Sequence, residues 1–104
     1  MALMTGELSY STSNIASSDA VAVVGDGELH VVYDAERCYS AWIEIYHAND
    51  VLFQRIPFIL TNKPNVRPPS IHVANGQKVK VCASVNPAVS RLKYQVFHVA
   101  HVAV

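Results

Sequence analysis

The residues of this chain predict an all-β protein, an antiparallel β-sandwich of immunoglobulin-like or jelly-roll type with about seven to eight strands. Three observations carry that expectation. Short apolar runs recur along all 104 residues, separated by Gly, Asn, Asp, Ser and Pro, which is the alternation of strands and turns in a sandwich. No segment keeps a helical period over ten residues or more. The run from Arg91 to Val104 has no charged side chain after Lys93 and is apolar on both faces, so both faces need cover. A small barrel would produce the same pattern.

Taken in order, a short first strand is expected at Glu7–Tyr10. The small, polar residues 11–19 then read as a loop or flexible connection. The chain is one domain, 1–104, in which residues 1–19 belong to the sheet or form a flexible or exchanged arm. Ala20–Val24 is a short apolar strand, and Gly25-Asp26-Gly27 supplies the positive φ of a tight turn, so Ala20–Asp34 reads as a hairpin. Within it Leu29, Val31 and Tyr33 alternate with Glu28, His30 and Asp34. Ala41–Tyr46 is the next strand, with Ala41, Ile43 and Ile45 on one face and Trp42, Glu44 and Tyr46 on the other. His47–Asp50 is a turn, because Asn and Asp bond their own backbone and tolerate left-handed conformations. Val51–Leu60 is a longer strand in which Pro57, unable to donate to a ladder, demands a bulge or an edge position. Thr61–Ser70 is an extended Pro-rich loop. Ile71–Ala74 and Lys78–Ala83 read as a second hairpin about Asn75-Gly76, Ser84–Ser90 as a loop, and the last strand begins near Arg91.

Hydrophobic residues make up 51% of the chain and charged residues 15%, against about 25% charged in an average globular domain. So few charges either leave part of the surface to a buried interface or are replaced there by Ser, Thr and Asn. The formal net charge is zero and the basic residues are scattered, which argues against nucleic acid as a partner, since that binding is driven by clustered Lys and Arg. No membrane span is expected, because Val51–Leu60 is too short and carries Gln54, Arg55 and Pro57. The first residues lack the basic flank and long apolar stretch of a signal peptide, so a soluble form is expected. Cys38 and Cys82 are two buried free thiols or, alternatively, a single bridge in an oxidising compartment. The chain contains no G-x-S-x-G, H-E-x-x-H, Walker or C-x-x-C motif, and a non-enzymatic role is expected.

Antiparallel strands reverse at each connection, which sorts the loops onto two ends. One end gathers Asp26, His47, Asn49, Asp50 and Asn75 beside the aromatic Tyr46. Oxygen ligands from separate loops suit Ca²⁺, and the same groups beside an aromatic ring suit a glycan. Tight turns need these residue types in any case. The other end gathers Arg37, Tyr39, Asn62, Lys63, Asn65, Arg67 and Asn86, which read as a site for an anionic or carbohydrate partner or as a solvated crossover. His98 and His101 are three apart and face opposite sides of a regular strand, so they do not chelate one metal together. The second face of the last strand supplies the candidate interface: Phe97, Val99, His101 and Ala103. The expected function is a binding module, lectin-like and carbohydrate-binding, acting as a homo-oligomer. The alternative is a structural subunit of a viral, phage or cell-surface assembly.

Because the last strand is apolar on both faces, truncation after Gln95 is expected to abolish folding. A cooperative thermal melt from the shortened chain would be the contrary result.

Overall fold

A computed structural model describes residues 2–9, 15–38, 40–59, 71–85 and 90–101. Among them lie nine strands: β1 (Met4–Ser9), β2 (Ile15–Ser17), β3 (Val21–Ala22), β4 (Gly27–Glu36), β5 (Ser40–Tyr46), β6 (Leu52–Ile59), β7 (Ile71–Val73), β8 (Lys78–Ser84) and β9 (Arg91–Ala100). Sheet A has the order β1-β9-β4-β7, and sheet B the order β2-β8-β5-β6, with the two-residue β3 also paired to β8. Every pairing is antiparallel. The pairs nest: β1 with β9, β2 with β8, β4 with β7, and β5 with β6. A long hairpin rolled up on itself gives that nesting, and it makes the sandwich a jelly roll.

The antiparallel sandwich stands as expected, with nine strands in place of seven or eight. The strand not expected lies in the N-terminal third, where residues 15–17 pair with Ser84, Ala83 and Cys82 instead of forming a loop. Met4–Ser9 pairs with β9 along its whole length, so these residues form the edge of sheet A.

Both outer hairpins expected from the sequence are corrected. β3 lies in sheet B and β4 in sheet A, and likewise β7 lies in sheet A and β8 in sheet B. The turns at Gly25 and at Asn75-Gly76 are corners that carry the chain between sheets, and they bond to each other. Gly25 N donates to Asn75 Oδ1 and Asn75 N to Asp26 Oδ1, both at 2.8 Å. Val23 is buried between the corners, donating to the Gln77 carbonyl at 2.8 Å and accepting from Gly76 N at 2.9 Å. Gly25 and Gly76 have φ of 91° and 88°, which an L side chain adopts only with strain.

The remaining local expectations meet their physical reasons. β5 and β6 do form a hairpin through His47–Asp50, with His47 N donating to the Val51 carbonyl at 2.8 Å and Asp50 at φ 68°. Pro57 sits on the edge strand of sheet B, where the register shifts between Ala41 and Trp42. It therefore satisfies both conditions that its missing N–H imposes.

The two sheets close over an apolar interior. Ile43 and Ile45 on β5, Phe58 on β6, Val79 and Val81 on β8, and Leu92 and Val96 on β9 have no exposed surface. Fully burying each such side chain contributes about 1.5–3 kcal/mol. Tyr33 of sheet A and Phe58 of sheet B meet with ring centroids 5.1 Å apart and a 50° tilt, a favourable aromatic geometry. Among the described residues no helix is long and apolar enough to cross a membrane.

Gly27 opens β4 opposite Ala100, and a Cβ there would run into the Val99 carbonyl oxygen and the His98 ring. Gly27→Ala is expected to lower stability by about 1–3 kcal/mol, read as a reduced denaturation midpoint. An unchanged midpoint would show that β9 yields freely at this point.

Candidate functional site

Strand alternation turns Trp42, Glu44 and Tyr46 to the outer face of sheet B while Ala41, Ile43 and Ile45 enter the core. An outward carboxylate ordinarily stays hydrated, yet Glu44 has only 9% of its side chain exposed. Its neighbours cover it and satisfy it. Trp42 Nε1 donates to Oε2 at 3.0 Å, Tyr46 Oη donates to Oε1 at 2.5 Å, and Arg55 Nε donates to Oε2 at 3.1 Å. Arg55, directly across the ladder on β6, also brings a second guanidinium nitrogen to 2.9 Å of Oε2.

Burial alone would raise the Glu44 carboxyl. The donors from Tyr46, Trp42 and Arg55, with the Arg55 charge, outweigh it and hold the group below its ordinary value. The hydrogen bond to Glu44, aided by burial, pushes the Tyr46 phenol up to about 12. One carboxylate thus fixes two aromatic side chains two residues to either side of it, about 13 Å apart along the strand. Each ring carries a cation. The Arg55 guanidinium carbon lies 5.6 Å from the Trp42 ring centroid, and Lys80 Nζ lies 5.2 Å from that of Tyr46, both within cation–π range.

The residues expected as a ligand site lie around the Tyr46 end of this face and at the neighbouring corners. The His47 and Phe53 rings meet at 4.8 Å between centroids, tilted by 55°. Asn49 Oδ1 accepts from Val51 N at 3.3 Å. Asp50 pairs with Lys78 at 2.7 Å, and Lys78 stands opposite Tyr46 in the ladder. Asp26 and Asn75 are brought together, but each spends a side-chain oxygen on the other turn's backbone. Of the residues expected at the opposite end, Arg37 is described, its carbonyl accepting from the buried Ser90 hydroxyl at 2.8 Å. Tyr39, Asn62, Lys63, Asn65, Arg67 and Asn86 lie outside the described residues.

The outer face of sheet A has a different character. Val99 and Val32 are 53% and 55% exposed, Phe97 is half-buried and His101 is exposed; Ala103 lies outside the described residues. Beside this apolar row a groove of about 490 Å³ is lined by Thr5, Glu7, Val32, Asp34, Lys93 and Gln95. Its charges alternate across the ladder, Glu7 and Asp34 flanking Lys93, and Glu36 pairs with Arg91 at 2.8 Å.

Both cysteines are free thiols. Burial raises Cys38, against a smaller opposing effect from the Ser40 backbone. Burial and then the Glu44 charge push Cys82 up to about 12, which keeps it in the unreactive thiol form.

Of this cluster, sequence reasoning named Tyr46 and missed Trp42, Glu44, Arg55 and Lys80. The available signal was the triplet Trp42-x-Glu44-x-Tyr46, three functional side chains on one strand face. No family model, curated protein or solved structure matches the chain.

A carboxyl held below its ordinary value stabilises the fold fully above the carboxylate range, and that contribution is lost as pH falls through the lowered value. Glu44→Gln is therefore expected to cost about 2 kcal/mol at neutral pH, since it weakens charge-assisted bonds at a buried acceptor. The gap from the native chain should narrow below about pH 4. Denaturant titrations of both chains at pH 7 and pH 3 check this, and an equal gap at both would contradict it.

Proposed function

We propose that the protein is a non-enzymatic binding module that recognises carbohydrate on the outer face of sheet B and works as a homo-oligomer. The observation that carries this reading is the pair of rings, Trp42 and Tyr46, locked in place by the single carboxylate of Glu44. Aromatic rings with polar edges offer an apolar surface at little cost in side-chain freedom, and Arg55 and Lys80 set charged donors beside them for hydroxyl or acidic groups of a sugar. His47, Asn49 and Asp50 border the same strand end. The raised Cys82 thiol and Tyr46 phenol argue against nucleophilic chemistry at this face. A weak site of this kind gains avidity when several copies are joined, and the apolar row of Val32, Phe97 and Val99 on sheet A supplies a surface for joining them.

A second reading, a structural subunit of a viral, phage or cell-surface assembly, draws on that same apolar row and on the jelly-roll topology. Capsid and lectin domains share that topology, and a fold does not by itself choose between functions.

A glycan array and a native mass measurement on the purified chain separate the two. The binding reading expects a small defined oligomer and glycan signals that Trp42→Ala and Tyr46→Ala each reduce by about five- to twelvefold, the loss of roughly one stacking contact of 1–1.5 kcal/mol. A large closed assembly without glycan signal supports the structural subunit. A monomer at high concentration that binds no glycan overturns both.

A further inference from the structure

Sheet A ends, beside the two corners, in a group of side chains that neither reading uses. Glu28 on β4 stands directly opposite His72 on β7 and, on its other side, opposite Val99 on β9. His101 follows two residues after Val99, so it projects to the same face as the diagonal neighbour of Glu28. Cross-strand partners hold their Cβ atoms about 4.5–5.5 Å apart, and diagonal neighbours about 7–8 Å. The backbone is anchored beyond the end of β9 as well, where His101 N donates to the Asp26 carbonyl at 2.9 Å.

The side chains converge. Glu28 Oε1 lies 3.7 Å from His72 Nδ1, the His72 and His101 rings are 6.4 Å apart, and one ligand atom from each of the three residues lies within 4.8 Å of the other two. Tetrahedral Zn²⁺ with bonds of about 2.0–2.2 Å needs donors about 3.3–3.5 Å apart. The difference is within reach of side-chain rotation, because His72 is 68% exposed and Glu28 34%, and the strands need not move.

We propose that Glu28, His72 and His101 form a binding site for a divalent transition-metal ion. Two imidazole nitrogens and one carboxylate oxygen suit Zn²⁺, Co²⁺, Ni²⁺ or Cu²⁺, whereas Ca²⁺ and Mg²⁺ require oxygen ligands throughout. Three protein donors leave at least one coordination position to water or to a donor from another molecule. His30 is not part of the three-atom cluster. Its Nε2 faces the other carboxylate oxygen of Glu28 at 3.9 Å, where it is placed to orient that ligand, as outer groups commonly do in metal sites. The site lies on sheet A and stands independently of carbohydrate recognition on sheet B.

The test is calorimetric titration of the untagged, chelator-treated full chain with ZnCl₂, alongside CoCl₂ followed by visible absorption. The expected result is saturable binding of one ion per chain, a tetrahedral Co²⁺ spectrum, and no heat with CaCl₂ or MgCl₂. His72→Ala, His101→Ala and Glu28→Gln should each weaken Zn²⁺ binding by more than about tenfold, since even outer groups are worth about 10–100-fold. His47→Ala, outside the cluster, should bind as the native chain does. All three ligand residues are on the surface, and an unchanged circular-dichroism melt without metal shows that a variant is folded. Absence of saturable Zn²⁺ binding by the native chain overturns the proposal. So does undiminished binding by folded His72→Ala and His101→Ala.

Discussion

Sheet A holds together through one strand. β9 is hydrogen-bonded to β1 on one side and to β4 on the other, and β1 touches no other strand of that sheet. Its inner residues Leu92, Tyr94 and Val96 close the core against sheet B, while its outer residues run from Arg91 through the apolar Phe97 and Val99. The pairing joins residues nearly a chain length apart, as in Met4 against Val96. Loop-closure entropy must therefore be met before the contact rewards it, a feature of slow-folding β topologies. The other nested pairs close progressively shorter loops, down to the local β5–β6 hairpin.

That nesting explains where polar chemistry accumulates. Rolling the long hairpin lays two sheet-to-sheet corners side by side, and Asp26 and Asn75 are consumed in tying them together. The same corners deliver the start of β4, the end of β7 and the end of β9 to one place, which is why Glu28, His72 and His101 meet. On the opposite sheet the local hairpin sets Arg55 across from Glu44, and strand alternation alone sets Trp42 and Tyr46 on either side. One polar group is of long-range origin and the other is mostly local.

Glu44 illustrates how a buried charge is tolerated on a sheet's outer face. Desolvation of a carboxylate is costly, and here three donors, one of them the charged Arg55 guanidinium, offset it. The partner Arg55 remains 58% exposed, so the pair is stabilised chiefly by its hydrogen bonds and less by unscreened attraction. Its larger consequence is geometric, since two rings that would otherwise sample several rotamers are held in one arrangement.

What the sequence by itself determined is local. Period-two alternation placed Leu29, Ile43, Ile45 and Val96 inside, the lack of a helical period argued against helices, and Pro57 announced a bulge or an edge. Tyr46 and the turn residues around it were legible for the same reason, because strand facing and turn chemistry depend on near neighbours. Partner choice was not legible. Gly25-Asp26-Gly27 and Asn75-Gly76 carry the same positive-φ requirement whether the chain returns along its own strand or crosses to the other sheet, so two corners read as two hairpins. Ile15–Ser17 is a strand only because β8 lies beside it. His72 and His101 stand 29 positions apart and Glu28 a further 44 before His72, separations at which no spacing rule operates. Tertiary structure decided these points because a strand's hydrogen bonds are made to another strand, and only the assembled sheet determines which one.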